Sequence, residues 1–140
     1  MRTYLDAILD HHRQRAEADD RPLGLLVTAA HDLPPTRGFR QAIMASDGLA
    51  VVAEIKRRSP SKGPLFADLD PARLARQYVA GGAACLSVLT DEDHFGGSVA
   101  DLEAAREAVD IPVIRKDFTV SLHDICDARL MGADCVLLIA

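Results

Sequence analysis

From Leu49 onward the chain alternates short apolar runs with helical segments, and this alternation restricts its fold more than any other feature. The runs are LAVVAEI (49–55), ACLSVLT (84–90), IPVIRKDF (111–118) and DCVLLIA (134–140). Each is short, and LAVVAEI is rich in β-branched residues, as buried strands are. The segments between them carry helix signals. Asp70 stands as an N-cap, Pro71 at the first helical position and Gly81 near the C-cap, while Ser98 opens SVADLEAAREAV and Ser121 opens SLHDICDARLMG. Strands joined by helices build a parallel sheet. A weak internal echo, with Gly81 and Gly132 each shortly before a strand, fits repeated βα units. A doubly wound sheet and part of a (β/α)8 barrel both satisfy this pattern. No strand is followed by GxGxxG or GxxxxGK[ST], so the nucleotide-binding signatures are absent.

The residues before Leu49 read as helices. Leu5, Ile8, Leu9 and His12 or Ala16 recur at helical spacing, Leu23 to Ala30 reads as a second short helix, and Gly38 to Ser46 as a third helical turn or two. None of these stretches suggests chemistry. In the 140 residues no apolar run approaches a membrane span of about 20 residues, and the N-terminus shows no secretory signal. Sixteen Lys+Arg against 21 Asp+Glu give a net charge of −5, which disfavours nucleic acid as a partner. Cys85, Cys126 and Cys135 have no CxxC spacing and read as reduced, buried thiols of a cytoplasmic protein. The five histidines show no metal-ligand spacing. The segment Asp91-Glu92-Asp93-His94 reads as a solvated acidic loop, with cation chelation as its other use.

Ionisable groups at the C-terminal ends of two strands are the informative signal. Side chains two apart on a strand share a face, so Glu54 and Lys56 point together with Val52, and Lys116 points with Ile114 and Phe118. Active sites of parallel α/β folds lie beyond these strand ends. An inward lysine there can give a proton to a carbonyl, form a Schiff base or hold an anion. The bland alternative is a structural ion pair between Glu54 and Lys56. The loop Arg57-Arg58-Ser59-Pro60-Ser61-Lys62-Gly63 adds cations and hydroxyls just past the first strand.

At these residues the sequence resembles a known family. AEIKRRSPSKG (53–63), LSVLTDEDHFGGS (86–98), IPVIRKDF (111–118) and GADCVLLI (132–139) are similar to the first four strands of indole-3-glycerol phosphate synthases. The resemblance implies an α/β fold comprising the N-terminal half of a (β/α)8 TIM barrel, strands one to four, behind a helical extension. The extension would span residues 1–48 and the barrel strands, with three helices, residues 49–140. It implies a decarboxylating lyase of tryptophan biosynthesis that closes an anthranilate-bearing ribulose phosphate to indole-3-glycerol phosphate, with no cofactor and no metal. By position, Lys116 matches the family's general acid, Lys56 the lysine that assists proton transfer and dehydration, and Glu54 the glutamate that orients them. Ser59 and Pro60 match the substrate-lining first loop. Leu89, Phe95, Phe118 and Leu137 match the apolar walls around the anthranilate ring.

A full barrel of this kind takes about 250 residues, and the sequence stops at Ala140. The family's general-base glutamate, its strand-six asparagine and the phosphate-binding strand ends have no counterpart in it. The expectation is an incomplete barrel, inactive alone, that self-associates or pairs with a C-terminal half. A non-catalytic half-barrel acting only by assembly with a partner chain is the alternative.

Overall fold

The computed structural model describes residues 3–66 and 68–139. Met1, Arg2, Ala67 and Ala140, the last of these ending the predicted fourth run, lie outside the described residues. Three helices come first: α1 (Tyr4–Glu17), α2 (Leu23–His31) and α3 (Phe39–Met44). A parallel sheet follows in the order β1 (Val52–Ile55), β4 (Cys85–Leu89), β5 (Val113–Lys116), β6 (Cys135–Val136). The first loop folds into a small hairpin of β2 (Arg58–Ser59) and β3 (Gly63–Pro64). Helix α4 (Pro71–Ala80) leads from β1 to β4. The short α5 (Glu92–Phe95) and α6 (Val99–Ala108) lead on to β5, and α7 (Leu122–Leu130) to β6. Among the described residues no helix is long and apolar enough to cross a membrane.

Predicted caps set the helix starts. The Asp70 side chain accepts from Arg73 N, and Ser98 from Asp101 N. Ser121 and Asp124 form a reciprocal capping box at α7. Each cap satisfies backbone donors that the first helical turn leaves unpaired.

Strand parity then divides the sheet into two faces. Ala53, Ile55, Leu86, Val88 and Val113 join Ala75, Leu102, Ala105, Ala128 and Met131 in the core between sheet and helices. Fully burying an aliphatic side chain of this size is worth about 1.5–3 kcal/mol. Helix α4 packs on α6, and α2 packs on α7. The opposite face carries Val52, Glu54, Ser87, Leu89, Ile114 and Lys116. At its lower end α3 meets β4, where Cys85 Sγ donates to Phe39 O at 3.7 Å.

Two strands are shorter than their apolar runs. β1 begins at Val52, with Leu49 96% exposed, because the ladder to β4 engages only from Val51 O onward. β6 covers only Cys135 and Val136, the two residues paired to β5, and Leu138 and Ile139 are exposed. The thiol reading also needs amending. Cys85, Cys126 and Cys135 are free, but only the first two are fully buried.

Beneath the sheet, a clasp ties the N-terminal segment to the strand starts. The fully buried Asp134 carboxylate accepts from Arg37 N at 2.8 Å, Val113 N at 2.8 Å and Arg106 Nη1 at 2.6 Å. Arg37 Nη1 in turn donates to the carbonyls of Arg106, Val109 and Ile111. Replacing Asp134 by Ala strands three donors, one of them the part-buried Arg106 guanidinium, and is expected to cost about 3–5 kcal/mol in urea unfolding. Burial, reinforced by Asp134 and Cys85, pushes the Cys135 thiol up to about 11. A thiol whose folded pKa is raised stabilises the fold below its unfolded value of about 8.5 and loses that contribution as pH rises toward the folded value. The urea midpoint of the parent chain should therefore fall more steeply than that of Cys135→Ala between pH 8.5 and 11. Parallel curves would refute the assignment.

Candidate active site

Register brings the predicted charged residues together. Glu54 pairs with Ser87 across β1 and β4, and Leu89 pairs with Lys116 across β4 and β5. The four side chains therefore rise on one face at adjacent levels. Lys56 Nζ lies 3.1 Å from Glu54 Oε1, and Lys116 Nζ lies 3.8 Å from Glu54 Oε2. Ser87 Oγ donates to the same Oε2 at 3.1 Å, and Tyr78 Oη donates to the Glu54 carbonyl at 2.9 Å. One carboxylate thus bridges two ammonium groups, which goes beyond the simple Glu54–Lys56 pair that strand parity alone allows. Ser87 carries no sequence signal of this role, since a serine inside an apolar run reads as filler.

Beside Lys116 opens a cleft of about 300 Å³ lined by Leu89, Asp91, Phe95, Asp117, Phe118, Leu137 and Ile139. Four residues expected to form apolar walls, Leu89, Phe95, Phe118 and Leu137, meet there. The Phe95 and Phe118 rings stand 6.4 Å apart. Glu54 and Lys56 border a second cleft of about 370 Å³ toward Leu65, Phe66 and α4. Ser59 and Pro60 line neither cleft. They lie at the hairpin tip, where Lys62 N bonds to Ser59 Oγ and O.

The loop carrying Phe95 is fixed by its backbone. Gly96, at φ +64°, closes α5 in the left-handed region that glycine adopts freely. A Cβ on Gly97 would sit 2.1 Å from Leu89 O, so only glycine lets the loop lie against the strand end. Arg57 grips Asp101 through two hydrogen bonds of 2.7 and 2.8 Å, and Arg58 donates to Asp93 O, joining the first loop to the second. The bond to Asp101 raises the Arg57 pKa, against the opposing effect of burial.

Beneath the cleft a buried network holds the β5 end. Arg115 Nε donates to Thr90 Oγ1 at 3.0 Å, Nη2 to Asp117 Oδ2 at 3.1 Å, and Nη1 to Asp124 O at 3.0 Å. Asp117 Oδ1 accepts from Phe118 N at 2.8 Å. The backbone that presents Lys116 and Phe118 is thus pinned from the helix side of the sheet. Parity on β5 sets Arg115 on the face opposite Lys116, and no local sequence signal marks its network.

The segment 91–94 is solvated only in part, with Glu92 and Asp93 exposed on α5 and Asp91 buried beneath it. Asp91 is 3% exposed and caps α5, with Oδ1 accepting from His94 N and Phe95 N. His12 of α1, also 3% exposed, places Nε2 at 2.9 Å from Asp91 Oδ2 and packs its ring 5.1 Å from that of Phe118. Burial alone would raise the Asp91 carboxyl, but the hydrogen bonds from His12 and His94 hold it well below the usual carboxylate range. The N-terminal extension, silent as sequence, therefore backs one wall of the cleft.

Comparison with known proteins agrees with this architecture. The family model for indole-3-glycerol phosphate synthase matches residues 5–140. The indole-3-glycerol phosphate synthase of Hyphomonas neptunium is 50% identical over 144 residues, covering 99% of this chain and 54% of that protein. That of Rhodopirellula baltica is 49% identical over 140 residues, covering 99% and 54%. That of Burkholderia ambifaria is 49% identical over 144 residues, covering 100% and 55%. The chain spans about half the length of these curated relatives. With four parallel strands in the barrel arrangement and a match over nearly every residue, the chain belongs to the indole-3-glycerol phosphate synthase family.

Proposed function

We propose that this chain supplies the proton-transfer centre and the aromatic-ring pocket of an indole-3-glycerol phosphate synthase. The reaction is the ring closure and decarboxylation of an anthranilate-bearing ribulose phosphate, a cytoplasmic lyase step of tryptophan biosynthesis. The observation that carries this reading is the Glu54 carboxylate held between Lys56 and Lys116 at the strand ends, beside an apolar cleft. Leu89, Phe95, Phe118 and Leu137 receive the anthranilate ring. Lys116, on the same rim, protonates the ketose carbonyl so that the ring carbon can attack it. Lys56 assists the following proton transfer and loss of water. Glu54 holds both ammonium groups at the strand ends, Lys116 on the apolar cleft and Lys56 on the neighbouring one, and the two cations leave a net positive charge facing an anionic substrate. Ser59 and Pro60 line neither cleft, and a substrate contact for them rests on the family resemblance alone.

The test joins this chain to the C-terminal half of the Hyphomonas neptunium relative and follows indole-3-glycerol phosphate formation by its fluorescence. Lys116→Met should lower kcat by about 10²-fold or more with a modest change in KM, the usual worth of a positioned general acid. Glu54→Gln should also lower kcat, because both lysines lose their common counter-charge. If Lys116 serves only as a structural ion-pair partner, Lys116→Met will melt at lower temperature yet turn over normally per folded molecule, and the reading fails.

A further inference from the structure

We propose that His12, Asp91 and His94 form a binding site for a divalent transition-metal ion of the zinc type, joining α1 to the loop after β4. His12 Nε2 and His94 Nδ1 approach the same atom, Asp91 Oδ2, at 2.9 and 3.1 Å. The ligand atoms of the three residues all lie within 4.8 Å of one another. A tetrahedral ion with bonds of about 2.0–2.1 Å holds its ligands about 3.3 Å apart, so only small side-chain shifts separate this cluster from a coordination shell. Two imidazoles and one carboxylate are a borderline N/O donor set that suits zinc, cobalt or nickel and leaves a fourth position for water.

The surroundings hold the ligands by contacts that coordination leaves intact. Asp91 Oδ1 is already engaged by the backbone of His94 and Phe95, which turns Oδ2 toward the imidazoles. The His12 ring is wedged between Phe118 and His11, and the His94 ring between Tyr4 and His11, at centroid distances of 5.1 to 6.0 Å. Asp117 Oδ1 lies 3.8 Å from His12 Nε2 and adds negative potential, partly balanced by Arg115. His11 Nε2 is shielded from solvent and makes no hydrogen bond among the described residues, although Asp93 Oδ2 is 3.0 Å away. His11 thus faces Asp93 next to the two converging imidazoles and is not one of the ligands. Lys56, Lys116 and Glu54 are not ligands, and although Asp91 also lines the cleft beside Lys116, ion binding is read without turnover and does not rest on the proposed chemistry.

The test uses the chain after exhaustive chelation, titrated with Co²⁺ and then Zn²⁺. Expected are one equivalent of Co²⁺ bound with a visible ligand-field band, displacement by Zn²⁺, and a melting temperature that rises with Zn²⁺ concentration. His94→Gln and His12→Gln should each weaken binding by about 100-fold or more, while His31→Gln and His123→Gln leave it unchanged. His94 is partly exposed, and glutamine there still donates to Asp91, so this variant decides the matter if His12→Gln fails to fold. No Co²⁺ band and no Zn²⁺-dependent shift would show a hydrogen-bonded latch only and overturn the proposal. Unchanged binding in His94→Gln would overturn it equally.

Discussion

Burial of β4 on both faces is the constraint from which the rest of the arrangement follows. All five of its residues are inaccessible, so each neighbour must present a matching surface. Toward the helices this selects Ile55, Leu102 and Val113, side chains without polar needs. On the other face Ser87 and Leu89 stand between β1 and β5, and the Ser87 hydroxyl finds its acceptor in Glu54. A carboxylate at that level is costly to desolvate unless cations meet it. Lys56 and Lys116 supply them, and because two cations share one anion, the rim keeps a surplus positive charge.

The two ends of the sheet solve different problems. At the strand starts, Asp134 and Arg37 spend their hydrogen bonds on backbone groups and on Arg106, which fixes the chain there. At the strand ends, the comparable buried cation is Arg115, and it works from behind. It fixes Asp117 and hence Phe118, while Lys116 on the opposite parity stays half-exposed toward the cleft. Stability at one end and accessible chemistry at the other is the division of labour that barrel folds show in general.

Most of this was legible where the signal was local. Caps at Asp70, Ser98 and Ser121 located the helices, and period-two parity alone put Glu54, Lys56 and Lys116 on one face. Strand lengths were less legible, because an apolar run such as 49–55 looks the same whether or not a partner is present to pair it. Leu49 is nearly fully exposed for that reason. The first-loop hairpin was missed because its short strands depend on Leu65 and Phe66 donating back to Arg57 O, a contact that leaves no periodicity. His12 was missed because its partner Asp91 is 79 positions away, and a histidine on an amphipathic helix carries no mark of what it will meet.

That distant contact changes what the N-terminal extension does. Among the described residues of α1 only Ile8 and His12 are buried, so propensity and a capping box hold the helix itself, but little apolar area holds it to the sheet. A helix of 14 residues is marginal by itself in water. Its docking must therefore draw heavily on the His12 contacts with Asp91 and Phe118. Those same residues shape the loop and the wall of the cleft, since Asp91 caps the turn that carries Phe95 and Phe118 faces Phe95 across it. Any change that loosens α1 removes support from both aromatic walls at once, while the lysines, anchored through Glu54 and Ser87 on β1 and β4, keep their positions. The extension thus bears on the shape of the aromatic cleft, and the strands on the placement of the two lysines.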